Sequence, residues 1–370
     1  GCCRLIGPMM ASGRPVRRRV DRSAAKAVLQ RLWARRLWNL GIACLVVAGC
    51  TFPPTSTATA PPNPNSPYLL ISGGSLYYRG HAVTLRGENF NNEPALACCG
   101  VADITRINVN ANDYGYVANT LGGNYVRLGL EHRWYQTNKE TFFQVLDQHV
   151  QWAKQNHLWL IPAIFGPPGG SSGGYSGQEG FWGSVTNQRD LSAFWADLAA
   201  HYAIEPTIAG YDLFNEPAPA DARDWKSWAQ ATTDAVGQVD SNHFIVLEQT
   251  SADWSLPAVT APRILWSSHC YARTGSEGCN FPGPNHSSPS DRPFLVGEVG
   301  TRTGSTGLAY VPDNLNAFNQ DGLSWTHFVL REPGDGFGLY ANNRAGDFSQ
   351  PQTPMIETVT RAMSGSVRPS

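Results

Sequence analysis

The chain has 370 residues, a formal net charge of −1 and 15% charged residues. This length suits one large domain with a single core, and the balanced charge excludes a surface built to bind nucleic acid or anionic lipid. The 12 tryptophans and 13 tyrosines are high counts. Most of them should lie in the core, although exposed rings also suit flat, partly apolar ligands such as sugars.

The first fifty residues have the pattern of a targeting segment. Arg31, Arg35 and Arg36 precede an apolar run at residues 40–50, LGIACLVVAGC, which is too short to span a bilayer as a helix. The run ends in VAGC, which resembles a bacterial lipoprotein signal that is cleaved before Cys50, the residue that then carries the lipid. An ordinary cleaved signal peptide is the alternative. Both predict export, to the cell surface, the outer membrane or the medium, and only a lipid on Cys50 would attach the chain to a membrane.

The chain therefore divides into a signal segment at residues 1–50, a linker at residues 51–67 and a folded domain at residues 68–370. The linker is rich in Pro, Ser and Thr and has too few apolar residues to fold. Of the cysteines after Cys50, Cys270 and Cys279 are close enough in sequence to form one disulfide, whereas the pairing of the adjacent Cys98 and Cys99 is left open. No cysteine pair has zinc-knuckle spacing, so we expect no metal there.

The folded domain begins with a predicted small β-hairpin at residues 68–80, where Gly73, Gly74 and Gly80 supply the turns. Eight further strands are predicted, at residues 81–90, 124–130, 158–165, 210–215, 243–248, 263–269, 293–298 and 323–330. Amphipathic helices are predicted between them, at residues 139–155, 187–202, 225–239 and 311–318. Alternating strands and helices predict a parallel sheet, and eight strands predict a (β/α)₈ TIM barrel. A doubly wound open sheet is the alternative, but no Gly-rich phosphate loop follows the first strand.

Two of the predicted strands end on a glutamate. The fourth leads into Glu216 in GYDLFNEP, and the seventh ends on Glu298 in FLVGEVG. Because the carboxyl ends of barrel strands meet on one face, both side chains can reach one cleft. A structural salt bridge is the alternative, but two charges buried without a function would be costly. Paired carboxylates supply what glycosidic hydrolysis needs, a proton donor and a partner for the oxocarbenium-like centre, and Asn215 could bind a sugar hydroxyl beside them.

From residue 68 to the C-terminus, YDLFNEP and FLVGEVG together resemble glycoside hydrolase family 5, in the large clan of retaining (β/α)₈ glycosidases. The resemblance implies that Glu216 is the general acid/base and Glu298 the nucleophile. It also implies that Asn215 binds a hydroxyl and that Arg127, in NYVRLGL, supports the nucleophile by its charge. The mechanism then requires a raised pKa for Glu216, a lower one for Glu298, and carboxyl groups about 5 to 5.5 Å apart.

By the same resemblance, His269 and Tyr271 in SSHCYAR flank the reaction centre, and Trp325 in LSWTHF stacks on the sugar at the cleavage point. The chain departs from the family pattern after the third strand, where many members carry a histidine and this chain has Phe165 and Gly166. Two residues after the second strand are expected to line the non-reducing side of the cleft instead: His132 and Trp134. Candidate platforms for more distant sugar units are Trp134, Trp182 and Tyr175.

The resemblance implies a monomeric enzyme that cleaves a β-linked plant polysaccharide, most often β-1,4-glucan internally, and that needs no cofactor. Mannan or another β-glucan is the alternative substrate. A lipid-anchored carbohydrate-binding barrel without activity is a more distant reading, since it would not need both glutamates. A metal-dependent hydrolase is disfavoured, because among the strand ends only His269 is placed as a ligand.

Overall fold

The structure is a computed structural model that describes residues 62–90, 109–170, 177–253, 255–271, 292–301, 310–332, 336–342 and 344–370. The signal segment, most of the linker, Cys98, Cys99, Tyr175 and Cys279 lie outside these ranges, so the interpretations of them stay predictions. Across the described ranges, every helix is too short or too polar to cross a bilayer.

The domain begins with a small antiparallel sheet, where the sequence predicted a two-stranded hairpin. Its three strands are β1 (Leu70–Ser72), β2 (Ser75–Tyr78) and β3 (His81–Val83). The third strand arises because Arg79 and Gly80 both have left-handed backbone angles, with φ of 50° and 80°, and this turn folds residues 81–83 back onto β2. The first barrel strand therefore begins at Arg86 and not at residue 81.

Eight parallel strands close into a barrel, which confirms the predicted fold class and excludes the open sheet. The strands are β4 (Arg86–Phe90), β5 (Tyr125–Glu131), β6 (Trp159–Gly166), β7 (Gly210–Asp212), β8 (Phe244–Glu248), β9 (Ile264–Tyr271), β10 (Phe294–Gly300) and β11 (Ser324–His327). The ring closes where β11 pairs with β4, with Trp325 opposite Arg86. Each strand coincides with a predicted one, with ends that differ by a few residues.

Helices lie between most of the strands. They are α1 (Ala111–Tyr116), which continues as a π-helical turn (Val117–Leu121), α2 (His132–Thr137), α3 (Lys139–Gln155), α4 (Glu179–Trp182), α5 (Val185–Tyr202), α6 (Ala222–Val239), α7 (Tyr310–Gln320) and α8 (Thr353–Met363). The four that the sequence predicted are α3, α5, α6 and α7. Side-chain caps explain where the long helices begin. Asn138 accepts a hydrogen bond from the backbone N–H of Thr141 at the start of α3, and Ser184 does so from Asn187 at the start of α5.

The alternation of side chains along β5 divides the interior into two layers. Tyr125 points toward the barrel axis, where its hydroxyl bonds that of Thr326 from β11. Val126 and Leu128 point outward into the large core between barrel and helices. Because strand side chains alternate with a period of two, the inward positions after Tyr125 are Arg127, Gly129 and Glu131. The carboxyl end of the barrel thus receives charged side chains in its mouth.

Candidate active site

Glu216 and Glu298 meet at the carboxyl end of the barrel. Glu216 follows β7 and Glu298 lies in β10, and the two residues are 8% and 3% exposed. One carboxylate oxygen of each, together with a ring nitrogen of His269, lie within 4.8 Å of one another. This spacing matches the separation of about 5 to 5.5 Å in retaining glycosidases and not the roughly 6.5 to 9.5 Å of inverting ones.

Arg127 is the hub of the polar interior. It is 0% exposed, and all of its N–H donors find acceptors. The acceptors are Asp212 (2.8 Å), Glu248 (2.7 Å), Glu298 (2.9 Å), Asn215 (2.9 Å) and Asn89 (3.1 Å). Burial would lower the pKa of Arg127, but the three carboxylates outweigh burial and raise it. The guanidinium therefore stays charged and holds the strand ends together.

His269 lies between three carboxylates, with a side chain that is 3% exposed. Its Nδ1 is 2.9 Å from Glu216 and 3.5 Å from Glu298, and its Nε2 is 3.2 Å from Glu248. Burial would lower the pKa of His269, but the charges of Glu248 and Glu298 raise it well above its ordinary value. The three carboxylates therefore favour the doubly protonated ring, whose two N–H groups can donate to carboxylates on both sides.

Glu298 has a further donor in Tyr271, whose hydroxyl bonds its second oxygen. Burial raises the pKa of Glu298 above its ordinary value, although the charges of His269 and Arg127 oppose this effect. The nearby charge of Glu216 raises that pKa further. The cation at Arg127 alone would suggest a low pKa for Glu298, but the burial of the carboxylate outweighs it in the free protein. That Glu298 has a lower pKa than Glu216 stays a prediction.

Trp325 does not reach the cleft, so its predicted role as a sugar platform is wrong. The ring is 0% exposed, and its indole N–H donates to Asn319 of α7 at 3.0 Å. The next residue, Thr326, points inward to Tyr125, which puts Trp325 on the outer face of β11. The following inward position is Phe328, which is half-buried and packs against Phe165 and Ala163.

His132 and Trp134 are also buried outside the cleft, which corrects both predictions. Trp134 is 2% exposed and belongs to the core between barrel and helices. The ring of His132 packs edge-on against Phe194 of α5, with centroids 5.5 Å apart, and burial lowers the pKa of His132 to about 4. The last inward position of β5 is Glu131, whose carboxylate fills the space beside Gly166.

Trp182, the last residue of α4, is half-buried. Its ring packs at a tilt against Phe214, with centroids 5.2 Å apart, and its indole N–H donates to Gln178 at 3.0 Å. Its role as a sugar platform stays a prediction. Cys270 is buried and disulfide-bonded, but Cys279 lies outside the described ranges, so their pairing also stays a prediction.

An aromatic wall borders the two glutamates on the side of the eighth barrel strand. It consists of Tyr271, Phe328 and Phe337, with ring centroids between 5.2 and 6.1 Å apart. Phe165, against which Phe328 packs, has its ring 4.9 Å from the guanidinium carbon of Arg127. Phe165 thus occupies an inward position near the end of the third barrel strand, β6. The site combines charged groups with apolar faces, as a sugar ligand requires.

Glu248 and Asp212 are site residues that sequence reasoning missed. Both are buried, Glu248 at the end of β8 and Asp212 at the end of β7, and both bond Arg127. Burial raises the pKa of Asp212 to about 7, despite the opposing charge of Arg127. A signal was present for Glu248, because the fifth strand, HFIVLE, ends on a glutamate as the seventh does.

Several known proteins share this fold. The catalytic domain of an endoglucanase from Thermobifida fusca superposes with a TM-score of 0.63 at 18% identity, over 80% of this chain and 97% of that chain. Endo-glycoceramidase II from Rhodococcus sp. gives a TM-score of 0.60 at 16% identity, over 79% of this chain and 80% of that one. At such identities the likeness shows a shared fold.

Sequence comparison gives evidence on the family as well as on the fold. A β-xylosidase from Phanerodontia chrysosporium is 24% identical over 261 residues, which are 58% of this chain and 55% of that protein, so the chain matches about half of its length. The family described as Cellulase (glycosyl hydrolase family 5) matches residues 83–333. That match covers more than half of the chain and includes every barrel strand and both glutamates. The chain is therefore a member of glycoside hydrolase family 5, as its strand-end motifs indicated.

Proposed function

We propose that this family 5 glycoside hydrolase cleaves β-1,4-glucan internally and with retention of configuration. The observation that supports retention is the approach of Glu216 and Glu298, whose nearest oxygens lie within 4.8 Å. That gap has room for one sugar carbon and no room for a separate attacking water. The family description, Cellulase, supports the glucan.

In the proposed first step, Glu298 attacks the anomeric carbon while Glu216 donates its proton to the departing glycosidic oxygen. A covalent glycosyl-enzyme forms, and the leaving sugar departs as a neutral alcohol. Glu216 then takes a proton from water, and the resulting hydroxide displaces Glu298. The imidazolium of His269, 2.9 Å from Glu216, stabilises the carboxylate that Glu216 becomes between the two steps.

We assign the sugar-stacking role to Phe328, in place of Trp325. Phe328 is half-buried beside Tyr271, whereas Trp325 has no exposed surface. Asn215 accepts from Arg127 through its side-chain oxygen, which leaves its amide N–H groups to donate to a sugar hydroxyl. Phe165 presents an apolar face where a histidine would present a hydrogen-bond donor.

Hydrolysis of β-xylosides is the second candidate. Its support is the 24% identical β-xylosidase, together with Phe165, since an apolar residue there removes one polar contact to the sugar. Xylose lacks the hydroxymethyl group of glucose, so the two substrates differ where the cleft wall touches the ring.

A reducing-sugar assay on carboxymethyl cellulose, mixed-linkage glucan, mannan and xylan tests the function. We expect the highest rate on a β-1,4-glucan and a rapid fall in its viscosity, because internal cuts shorten chains faster than release from an end. A highest rate on xylan would favour the second candidate. No release of sugar from any of the four would contradict the proposed function and favour a binding protein.

Tyr271→Phe should move the acidic limb of the pH profile upward. Glu298 must be ionised to attack, so activity is lost as the pH falls through its pKa. The Tyr271 hydroxyl donates to that carboxylate and lowers its pKa, so its removal raises the pKa. A hydrogen bond to a charged group contributes about 1.5–3 kcal/mol, which corresponds to a shift of about one to two pH units. The measurement is kcat/KM against pH.

Tyr340→Phe is the matched control for this prediction. The Tyr340 hydroxyl donates to Tyr116 at 2.6 Å, away from the glutamates, so the same atom is removed without a change at Glu298. Its acidic limb should coincide with that of the wild type. An unshifted or lowered limb in Tyr271→Phe would show that this hydroxyl does not act on the nucleophile.

A further inference from the structure

The backbone of Glu216 has a conformation that its side chain disfavours. Its φ is 49°, in the left-handed region that residues with a Cβ rarely adopt. Such a conformation persists only where the surroundings hold it, and it is common at functional sites. The contacts of the Glu216 peptide groups therefore decide where its carboxyl group points.

Two buried side chains hold the backbone of Glu216, one on each side. The N–H of Glu216 donates to Oε2 of Glu248 at 2.8 Å. The carbonyl of Glu216 accepts from Nε2 of Gln178, also at 2.8 Å. Glu248 and Gln178 are 2% and 3% exposed, so neither hydrogen bond is open to exchange with solvent. Both polar groups of this residue's main chain are thus fixed by side chains from other parts of the chain.

Gln178 is itself held in place. Its Oε1 accepts from the backbone N–H of Ala218 at 2.9 Å and from the indole N–H of Trp182 at 3.0 Å. It therefore bridges the long segment after β6 to the turn that follows Glu216. Residues 177–183, which follow β6, thus have one defined contact with the site through Gln178.

Glu248 divides its two oxygens between different tasks. Oε1 accepts from Arg127 and lies 3.2 Å from Nε2 of His269, whereas Oε2 accepts from the Glu216 peptide. Burial would raise the pKa of Glu248, but His269 and Arg127 lower it below its ordinary value, so the group is a carboxylate. A carboxylate that only balanced the charge of Arg127 would not need its second oxygen on the Glu216 peptide.

We propose that Glu248 is a positioning residue that, together with Gln178, holds Glu216 where it delivers its proton to the leaving group. Glu248 reaches the acid/base by two routes, through the Glu216 peptide and through His269, whose Nδ1 lies 2.9 Å from the Glu216 carboxylate. Both of its oxygens are bonded within the protein, so the proposed role needs no contact with the substrate. The inference rests on the proposed function, since it assigns a role relative to Glu216 as the acid.

The test compares two substrates that differ in their need for an acid. Cellotetraose has a poor leaving group and needs the proton, whereas 2,4-dinitrophenyl β-cellobioside has a leaving group that departs without it. In Glu248→Gln, one oxygen becomes an NH₂ group that faces a donor, so a hydrogen bond is lost. We expect kcat/KM on cellotetraose to fall about 100-fold, the scale of a misplaced catalytic group, with little change on the dinitrophenyl substrate.

Two further variants make the result decisive. Gln178→Ala removes the hydrogen bond to the Glu216 carbonyl, so it should show the same selective loss of kcat/KM on cellotetraose. This variant also tests the proposal if Glu248→Gln does not fold. Glu88→Gln is the control. Glu88 is a buried carboxylate 2.8 Å from His327, on the outward face of β4, since the next residue, Asn89, bonds Arg127. Glu88→Gln should leave both rates unchanged.

Equal losses on both substrates, or no loss on either, in the variants of Glu248 and Gln178 would overturn the positioning role. Failure of the proposed function would look different. Wild-type enzyme treated with 2,4-dinitrophenyl 2-deoxy-2-fluoro-β-cellobioside should gain one glycosyl group on Glu298, as read by mass spectrometry of its peptides. A wild-type enzyme that is neither labelled nor active on cellotetraose or 2,4-dinitrophenyl β-cellobioside would contradict the proposed glucanase activity itself.

Discussion

Glu298→Gln should lower kcat on the best polysaccharide by at least about 10⁴-fold, the scale seen when a nucleophile is removed. The amide has nearly the same shape as the carboxylate, so it can still accept from Arg127, which donates to Oε1 at 2.9 Å. It cannot form the covalent intermediate, because an amide oxygen is a weak nucleophile. The residual rate should no longer fall as the pH drops through the pKa of Glu298, because glutamine does not ionise. The measurement is initial-rate kinetics on purified, folded protein.

Glu88→Gln is again the matched control, because it replaces a buried carboxylate of the same barrel on the face away from the site. Glutamine has nearly the same size and shape as Glu88 and keeps an oxygen for the contact with His327 at 2.8 Å, so the variant should stay folded and active. Circular dichroism should give the same spectrum for both variants and the wild type. A Glu298→Gln enzyme with undiminished turnover would remove Glu298 from the role of nucleophile.

Arg127→Met should lower the free energy of unfolding by about 3–5 kcal/mol, the usual result when one partner of a buried ion pair is removed. The variant leaves three carboxylates inside the barrel without their shared cation: Asp212, Glu248 and Glu298. Activity should fall as well, since the charge that supports the nucleophile is lost. Urea unfolding, followed by tryptophan fluorescence, measures the change.

The loss of stability in Arg127→Met should grow as the pH rises. The pKa of Asp212 is already raised to about 7, above its value in the unfolded chain. Removal of Arg127 raises it further, so the folded protein keeps a proton that the unfolded chain releases, and folding becomes less favourable with increasing pH. The deficit should therefore be larger at pH 8 than at pH 5.

Arg223→Met is the control for this prediction, since Arg223 lies on the surface with a side chain that is 87% exposed. Its unfolding midpoint should match that of the wild type at each pH. A stability of Arg127→Met equal to the wild type, or a deficit that shrinks with pH, would show that Arg127 does not hold the buried carboxylates together.

The barrel could be predicted because each of its strands is a short apolar run separated from the next by helix-length spacing. Runs such as residues 158–165 are apolar at nearly every position, as a strand buried on both faces requires. The meeting of Glu216 with Glu298 followed from the same reasoning, since parallel strand ends gather on one face. Apolar runs and their spacing were sufficient to predict both the barrel and the meeting of the two glutamates.

The wrong site assignments arose because the sequence does not show on which face of a strand a side chain lies. Trp325 and Phe328 are close in sequence, but only the inward position reaches the cleft, and a strand pattern that is apolar on both faces does not reveal which one that is. Because of the same ambiguity, His132 was assigned to the cleft, although the last inward residue of β5 is Glu131. Arg127 could have resolved both cases, because an arginine buried in a barrel strand must point to the polar interior and so fixes the period-two alternation from that residue onward.

The pKa of Glu298 could not be predicted from motifs, because it depends on how much water the fold removes from the carboxylate. Sequence neighbours identify the countercharge at Arg127 but not the burial that opposes it. Glu248 was missed for a related reason. Its proposed role depends on hydrogen bonds to residues 127 and 216, which only the closed barrel brings together.

Proton NMR of the first product released from a β-linked oligosaccharide tests the central pairing most directly. If Glu216 and Glu298 act together on one sugar across the short gap between them, the new reducing end appears first as the β-anomer and only later equilibrates with the α-form. An α-anomer that appears first would mean inversion by a directly attacking water, and the assignment of these two side chains as acid/base and nucleophile would be wrong.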